Sequence, residues 1–249
     1  MKRIVEMRKS MGLLVLFLMA VVVLSLGTAS RESWAAPFSD ASIIFEVNET
    51  DCDAGIQVFL DAQPWKNVKI FNPDNVQIAE FQAKGGNSPM SLENFGLTEL
   101  FSESNEPPCE ETSLAAILAR FPAGKYRFEG TTVGNQMLKS TDTLTHDIPC
   151  GPEIISPAEL DPNNAVIEWN EVTHMLDPTT GECDEGSSEP DIVGYQVIVG
   201  TFQVTLPASA TSVTVPPEFL EPNTVYLFEV LAIEKSGNQT ITEGSFETE

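Results

Sequence analysis

Residues 225–232, near the end of the chain, alternate between two faces: the even-numbered positions are all apolar, whereas the odd-numbered face includes Glu229. One face of this segment carries apolar side chains that taper to an alanine, namely Tyr226, Phe228, Val230 and Ala232. Because successive side chains of a strand point to opposite faces, this alternation predicts a half-buried β-strand. Pro222 and Asn223 come just before it and predict a turn, since Pro fixes φ and Asn tolerates a left-handed backbone.

Two other short apolar segments of this region also suit strands: AVIEW, which ends at Trp169, and VGYQVIV, which surrounds Tyr195. The order of these two aromatic residues, followed by LEPNTVY at residues 220–226, resembles that of fibronectin type III domains. The resemblance covers residues 151–249. It implies an immunoglobulin-like β-sandwich, with the Tyr226 hydroxyl bonded to the backbone a few residues upstream. It implies no particular ligand.

The region departs from the family pattern at two places. Asn223 stands where the family usually has Gly, which is compatible with the turn because Asn also accepts positive φ. The connection between Trp169 and Tyr195 is longer than is usual in the family, and residues 176–191 of it form an acidic loop. Because this loop has few apolar residues, we expect it at the surface, where end loops of a sandwich carry binding residues. The candidate binding residues of the loop are Asp177, Glu182, Asp184 and Glu185.

Short strand-like segments separated by turn residues also recur through residues 41–149. They lie at residues 41–47, 55–62, 68–81, 125–132 and 138–148. Two features punctuate the pattern: Asn, Pro and Asp form a turn at residues 72–75, and Gly134 and Asn135 separate the last two segments. We therefore expect a first, β-rich domain here, and we predict that its fold is a β-sandwich. No known family is identified for it.

One helix interrupts this β pattern. Apolar residues recur at helical spacing at Leu114, Ile117, Leu118 and Phe121. Thr112 or Ser113 is the predicted N-cap, and Pro122 and Gly124 end the helix. The predicted fold class is therefore mainly β, with two β-sandwich domains: residues 41–149, with one short helix, and residues 151–249, of the fibronectin type III kind.

The N-terminus has the pattern of a secretory signal peptide over residues 1–30. Four basic residues lie within the first nine positions, an apolar stretch spans residues 11–26, and small residues follow at 27–30. The apolar stretch is shorter than the about 20 residues that a membrane-spanning helix needs. We expect a secreted or periplasmic protein with no membrane insertion after cleavage.

The chain is strongly acidic, with a formal net charge of −24. Removal of the signal peptide takes away four basic residues and Glu6, which changes this charge to −27. Such a surface repels phosphate backbones, so we expect no nucleic-acid partner. A protein or carbohydrate ligand remains compatible with it.

All four cysteines lie in the exported part. An even number in an oxidising compartment predicts two disulfides, which four cysteines can form in three ways. The resemblance to the type III domain selects one of the three. In that fold the start of the first strand, near Cys150, and the loop that holds Cys183 occupy the same end of the sandwich. Cys52 and Cys109 then remain for each other.

Sequence motifs of catalysis are lacking: the chain has no HExxH, no GxSxG and no phosphate-binding Gly-rich loop. Its two histidines, His146 and His174, are interpreted as surface or structural residues. We therefore predict no catalytic residue.

One acidic segment has part of a calcium-binding pattern. Asp51, Asp53 and Gly55 follow a D-x-D-x-G order, which suits a hard cation held by oxygen ligands on a turn. A third ligand at the expected step and a closing Glu are missing, so an acidic turn without an ion is the alternative. Apart from calcium at Asp51 and Asp53, no cofactor is expected.

The predicted function is that of an exported, non-enzymatic protein of binding, adhesion or assembly. The alternative is a polysaccharide-acting enzyme, or its accessory subunit, with the first domain as the active unit. Two carboxylates facing each other in a deep cleft would favour the enzyme.

Overall fold

The computed structural model describes residues 35–86, 88, 90–156 and 158–249, and Ala35–Glu249 form one compact unit. The predicted signal peptide lies outside the described residues. Within the described part, no helix has the length and apolar character needed to cross a membrane. The chain is mainly β and has a β-sandwich fold, as predicted.

The described residues of the N-terminal half form six strands and two short helices. The strands are β1 (Asp40–Asn48), β2 (Asp53–Phe71), β3 (Gln77–Gln82), β4 (Leu97–Glu103), β5 (Gly124–Thr132) and β6 (Met137–Leu144). The helices are α1 (Leu92–Phe95) and α2 (Leu114–Arg120). The sequence predicted only α2. Its N-cap is Ser113, whose Oγ accepts a hydrogen bond from the amide of Ala116 at 3.3 Å.

Strand β2 is long enough to pair with different strands along its two parts. Its first part pairs with β1 and β4, and its second part pairs with β3 and β5. The register shifts between Asp61 and Trp65, where Pro64 has no amide hydrogen to donate. Strand β6 pairs with β5, and Ala36 forms a parallel bridge with Leu138 of β6. The sequence predicted two separate strands where the structure has the continuous β2.

The C-terminal half is a β-sandwich, as the resemblance implied. Its strands are β7 (Glu159–Leu160), β8 (Ala165–Glu168), β9 (Met175–Leu176), β10 (Cys183–Asp184), β11 (Ile192–Val199), β12 (Phe202–Pro207), β13 (Ser212–Val215), β14 (Val225–Glu234) and β15 (Gln239–Thr248). One layer has the order β12-β11-β14-β15, and β8 pairs with β13 in the other. Trp169 and Tyr195 pack together in the core, with ring centroids 5.5 Å apart.

Each half contains a tyrosine that closes a corner. The Tyr226 hydroxyl accepts a hydrogen bond from the amide of Glu221 at 2.7 Å, as predicted. In the N-terminal half, the hydroxyl of the buried Tyr126 donates to the carbonyl of Pro122 at 3.2 Å. The Tyr126 corner was not predicted from the sequence. Tyr126 nevertheless follows Pro122 and Gly124 much as Tyr226 follows the turn at Pro222 and Asn223.

The two halves are joined through one sheet, because β1 pairs in parallel with β15. The buried Asn238 side chain strengthens this junction: its Oδ1 accepts from the amide of Phe45 at 2.9 Å, and its Nδ2 donates to the carbonyl of Asp147 at 2.9 Å. The Thr240 hydroxyl donates to the carbonyl of Pro149 at 2.6 Å. The junction therefore fixes the segment at which the sequence predicts a domain boundary.

Both expected disulfides are present. Cys52 is bonded to Cys109 and Cys150 to Cys183, with Cα–Cα distances of 5.3 and 5.4 Å.

Candidate functional site

A groove of about 300 Å³ lies between the turn that joins β1 to β2, the start of α2 and the acidic loop. Its floor is formed by the buried apolar residues Val47, Ala54, Leu114 and Ile117. The rest of the lining consists of polar residues, the two cysteines of the first disulfide and one glycine: Asn48, Glu49, Cys52, Asp53, Cys109, Thr112, Ser113, Thr180, Gly181 and Glu182. Residues from both halves of the chain thus build one concave surface.

The local structure of the N-terminal half holds the floor in place. Leu114 and Ile117 are three positions apart on α2, so both side chains lie on the same face of the helix. The Cys52–Cys109 disulfide joins the β1–β2 turn to the segment before α2. Alongside it, the amide of Cys109 donates to the carbonyl of Cys52 at 2.6 Å. This wall of the groove is therefore fixed covalently and by the backbone.

The acidic loop, predicted as an irregular segment, contains a small hairpin formed by β9 and β10. At its tip, Oδ1 of Asp177 accepts hydrogen bonds from the amides of Thr179 and Thr180, at 2.6 and 3.1 Å. Gly181 has a φ of +77° and lies against Leu114, so close that an added Cβ would be 3.4 Å from the Leu114 Cβ. The loop therefore has a defined conformation and rests on α2.

Carboxylates surround the opening of the groove. Glu49 and Glu182 are exposed, whereas Asp53 is half-buried. Burial raises the pKa of Asp53, and the nearby charges of Asp51, Glu243 and Glu103 add to the effect. The groove thus combines an apolar floor with a negatively charged rim, which suits binding of a ligand that is partly apolar and positively charged.

Two of the residues predicted to bind calcium or a partner, Asp53 and Glu182, line the groove, as do the disulfide-bonded Cys52 and Cys109. Asp177, Asp184 and Glu185 belong to the same loop but not to the lining. The hydrogen bonds from the Thr179 and Thr180 amides lower the pKa of Asp177, in keeping with a structural role in the turn. Asp184 likewise accepts a bond from the amide of Gly186 at 2.9 Å.

A calcium site at Asp51 and Asp53 stays a prediction. Among the described residues, one group of three carboxylates has oxygens within 4.8 Å of one another, and it consists of Glu46, Glu103 and Glu106. Neither Asp51 nor Asp53 belongs to it.

This carboxylate cluster was not identified from the sequence. Glu46 lies on β1 and Glu103 on β4, and the first part of β2 runs between them. Burial and the charges of Glu103, Glu46 and Asp53 raise the pKa of Glu106 to about 7. Its Oε1 is buried and has no hydrogen-bond partner in the described part of the chain. The sequence carried one hint, because Glu46 interrupts the apolar run of β1.

His146 has a structural role, as expected. Its Nε2 lies 3.0 Å from the carbonyl oxygen of Phe121, and its ring packs edge-on against Phe45 with a centroid distance of 5.6 Å.

No family model and no curated protein matches the sequence. Among solved structures, the FN1–FN3 domains of chicken CNTN1 are 11% identical over 86% of this chain and 67% of that chain, with a TM-score of 0.31. A 1.5-MDa bacterial ice-binding adhesin is 13% identical over 86% of this chain and 65% of that chain, with a TM-score of 0.25. The Clostridium perfringens spore cortex lytic enzyme SleM is 18% identical over 41% of this chain and only 28% of its own length, with a TM-score of 0.28. Because these TM-scores are low, the likenesses carry no argument about function.

Proposed function

We propose that this chain is an exported binding protein without catalytic activity, which engages a protein or carbohydrate partner at the groove. The observation that carries the proposal is the construction of the groove from both halves of the chain. Walls from α2, from the β1–β2 turn and from the acidic loop converge there. A recognition surface that holds its shape before binding loses less conformational entropy when the partner binds.

Two common catalytic groups are absent from the described lining of the groove. Among the described residues that line it there is no histidine, and both cysteines are oxidised in a disulfide, so the groove offers neither an imidazole base nor a thiol nucleophile. Its carboxylates keep a polysaccharide-acting enzyme as the alternative. The disulfides also support an extracellular or periplasmic location, where such bonds persist.

The proposal is tested by filling the groove. Thr180 is exposed on the rim, so Thr180→Trp should place an indole ring in the groove and abolish capture of a partner from the extracellular or periplasmic fraction of the source cells. Thr179→Trp is the matched control, because Thr179 is exposed on the same turn but does not line the groove. We expect the wild type and Thr179→Trp to retain the same partner in affinity capture followed by mass spectrometry.

Two results would contradict the proposal. The first is equal capture by the wild type and by Thr180→Trp, provided that the variant melts at the wild-type temperature. The second is release of reducing ends from a polysaccharide by the purified protein, which would favour the enzyme instead.

A further inference from the structure

The size of the groove limits what it can hold. At about 300 Å³ it is at the lower end of the range for ligand pockets, which is about 300 to 1,000 Å³. It therefore accommodates one or two side chains of a partner rather than a long stretch of polymer. Its floor is buried and apolar, so it favours an occupant with hydrocarbon to cover Val47, Ala54, Leu114 and Ile117.

The rim adds a charge requirement. The ion pairs within the described part of the chain involve Glu80, Glu129 and Asp191, so none of the rim carboxylates is neutralised by a lysine or arginine there. The pKa of Asp53 is raised because burial partly desolvates its charge and because its neighbours are also acidic. A wholly apolar ligand would desolvate this carboxylate further without a partner, which is unfavourable. An anionic ligand would be repelled.

A long basic side chain meets both requirements, because its methylene stem is apolar and its end is charged. Arginine suits the site best, since its planar guanidinium donates several hydrogen bonds at once and is less strongly hydrated than an ammonium group. We propose, on the basis of the proposed function, that the groove receives an arginine side chain of a protein partner. The stem lies on Leu114 and Ile117, and the guanidinium lies between Asp53 and Glu182.

The proposal predicts binding of a minimal probe. N-acetylarginine amide, titrated into the isotope-labelled protein, should shift the backbone amide resonances of Val47, Leu114 and Thr180 in a saturable manner. N-acetylcitrulline amide is the matched control ligand, because it has almost the same shape without the charge. Loss of a charge-assisted contact to a partly buried carboxylate should weaken its binding by about tenfold or more.

Matched variants separate a specific site from the general acidic field of the protein. Glu182→Gln should weaken binding of the arginine probe by about twofold to fivefold, as for an exposed ion pair. Glu185→Gln removes the same charge from the same loop outside the groove and should change the affinity by less than about twofold, because solvent and salt screen distant charges. Asp53→Asn should have a larger effect than Glu182→Gln, since Asp53 is less exposed.

Three outcomes would overturn the proposal: equal binding of the two probes, equal weakening by Glu182→Gln and Glu185→Gln, or a response at Asp51 and Asp53 to calcium chloride but not to the arginine probe. Failure of this inference is distinguishable from failure of the proposed function. If Thr180→Trp abolishes partner capture while the arginine probe does not bind, the groove is a binding site for another chemistry. If partner capture is also insensitive to Thr180→Trp, both proposals fail.

Discussion

Glu106 is a half-buried carboxylate whose Oε1 is removed from water and has no hydrogen-bond partner among the described residues. Glu46 and Glu103 contribute further negative charge within 4.8 Å. Burial is the largest cause of its raised pKa of about 7, compared with an ordinary value of 4.5. The folded state therefore favours the protonated form of this group.

The raised pKa of Glu106 predicts how the free energy of unfolding depends on pH. Between pH 4.5 and about 7 the folded protein binds the proton of Glu106 more tightly than the unfolded chain does, so stability decreases as the pH rises through this window. Glu106→Gln imitates the protonated form. It should therefore be more stable than the wild type at pH 7.5, by about 1 to 2 kcal/mol after allowance for solvent screening.

The two proteins should be equally stable at pH 4, as measured by urea unfolding at each pH. Glu110→Gln is the control, because Glu110 is exposed and outside the cluster. A stability difference between Glu106→Gln and the wild type that is the same at both pH values would contradict the prediction.

At the level of elements, the hairpin of the acidic loop shows how a segment with little apolar surface acquires a fixed structure. Its residues cannot bury a core of their own, and the covalent link from Cys183 to Cys150 supplies part of the missing stabilisation. The Ser187 hydroxyl also accepts a hydrogen bond from the amide of Met175 at 2.8 Å. The groove depends on this hairpin, because Thr180 and Glu182 belong to it.

Removal of this disulfide should therefore affect both stability and the groove. The paired substitution Cys150→Ala with Cys183→Ala opens a link between positions 33 residues apart. Loop-entropy arguments give a loss of about 3 to 4 kcal/mol in the free energy of unfolding, measurable by chemical denaturation. Amide exchange at Gly181 should also become faster, because the hairpin is then less constrained on α2.

The paired substitution Cys52→Ala with Cys109→Ala is the comparison. It should destabilise the protein to a similar degree through the opposite wall, without releasing the hairpin. Unchanged stability and unchanged exchange at Gly181 in the Cys150 and Cys183 variant would contradict the argument.

At the level of the whole molecule, the parallel pairing of β1 with β15 makes one sheet out of strands from both halves. Asn238 satisfies backbone groups of the N-terminal half from a position in the C-terminal half. Opening the junction would leave the amide of Phe45 and the carbonyl of Asp147 without these partners, which costs about 1 to 3 kcal/mol for each group that stays buried.

We therefore expect the two halves to unfold in one cooperative transition in scanning calorimetry. Asn238→Ala should lower the free energy of unfolding by about 2 to 4 kcal/mol, since it leaves buried polar groups unpaired. Asn163→Ala is the control, because Asn163 lies in an exposed turn and bonds only within it. Two well-separated transitions in the wild type would show that the halves are independent domains.

Local features of this protein could be determined from the sequence because their causes lie within a few residues. The alternation around Tyr226 places one face of β14 in the core, and the spacing of Leu114, Ile117 and Leu118 produces α2 after its Ser113 cap. The Tyr226 corner follows from a turn only a few residues upstream. The disulfide pairing was accessible because the resemblance to a known fold supplied the long-range geometry.

The tertiary structure alone decided which surfaces come together. The alternation of apolar side chains along the sequence shows which face of β1 is buried. It does not reveal that Glu46 of β1 pairs with Gln239 of β15, almost two hundred positions later in the chain. The carboxylate cluster and the groove depend on such long-range pairings. The acidic residues of the loop look alike in sequence, yet Glu182 lines the groove and Glu185 does not. That distinction arises because Gly181 rests on Leu114, a contact between the two halves of the chain.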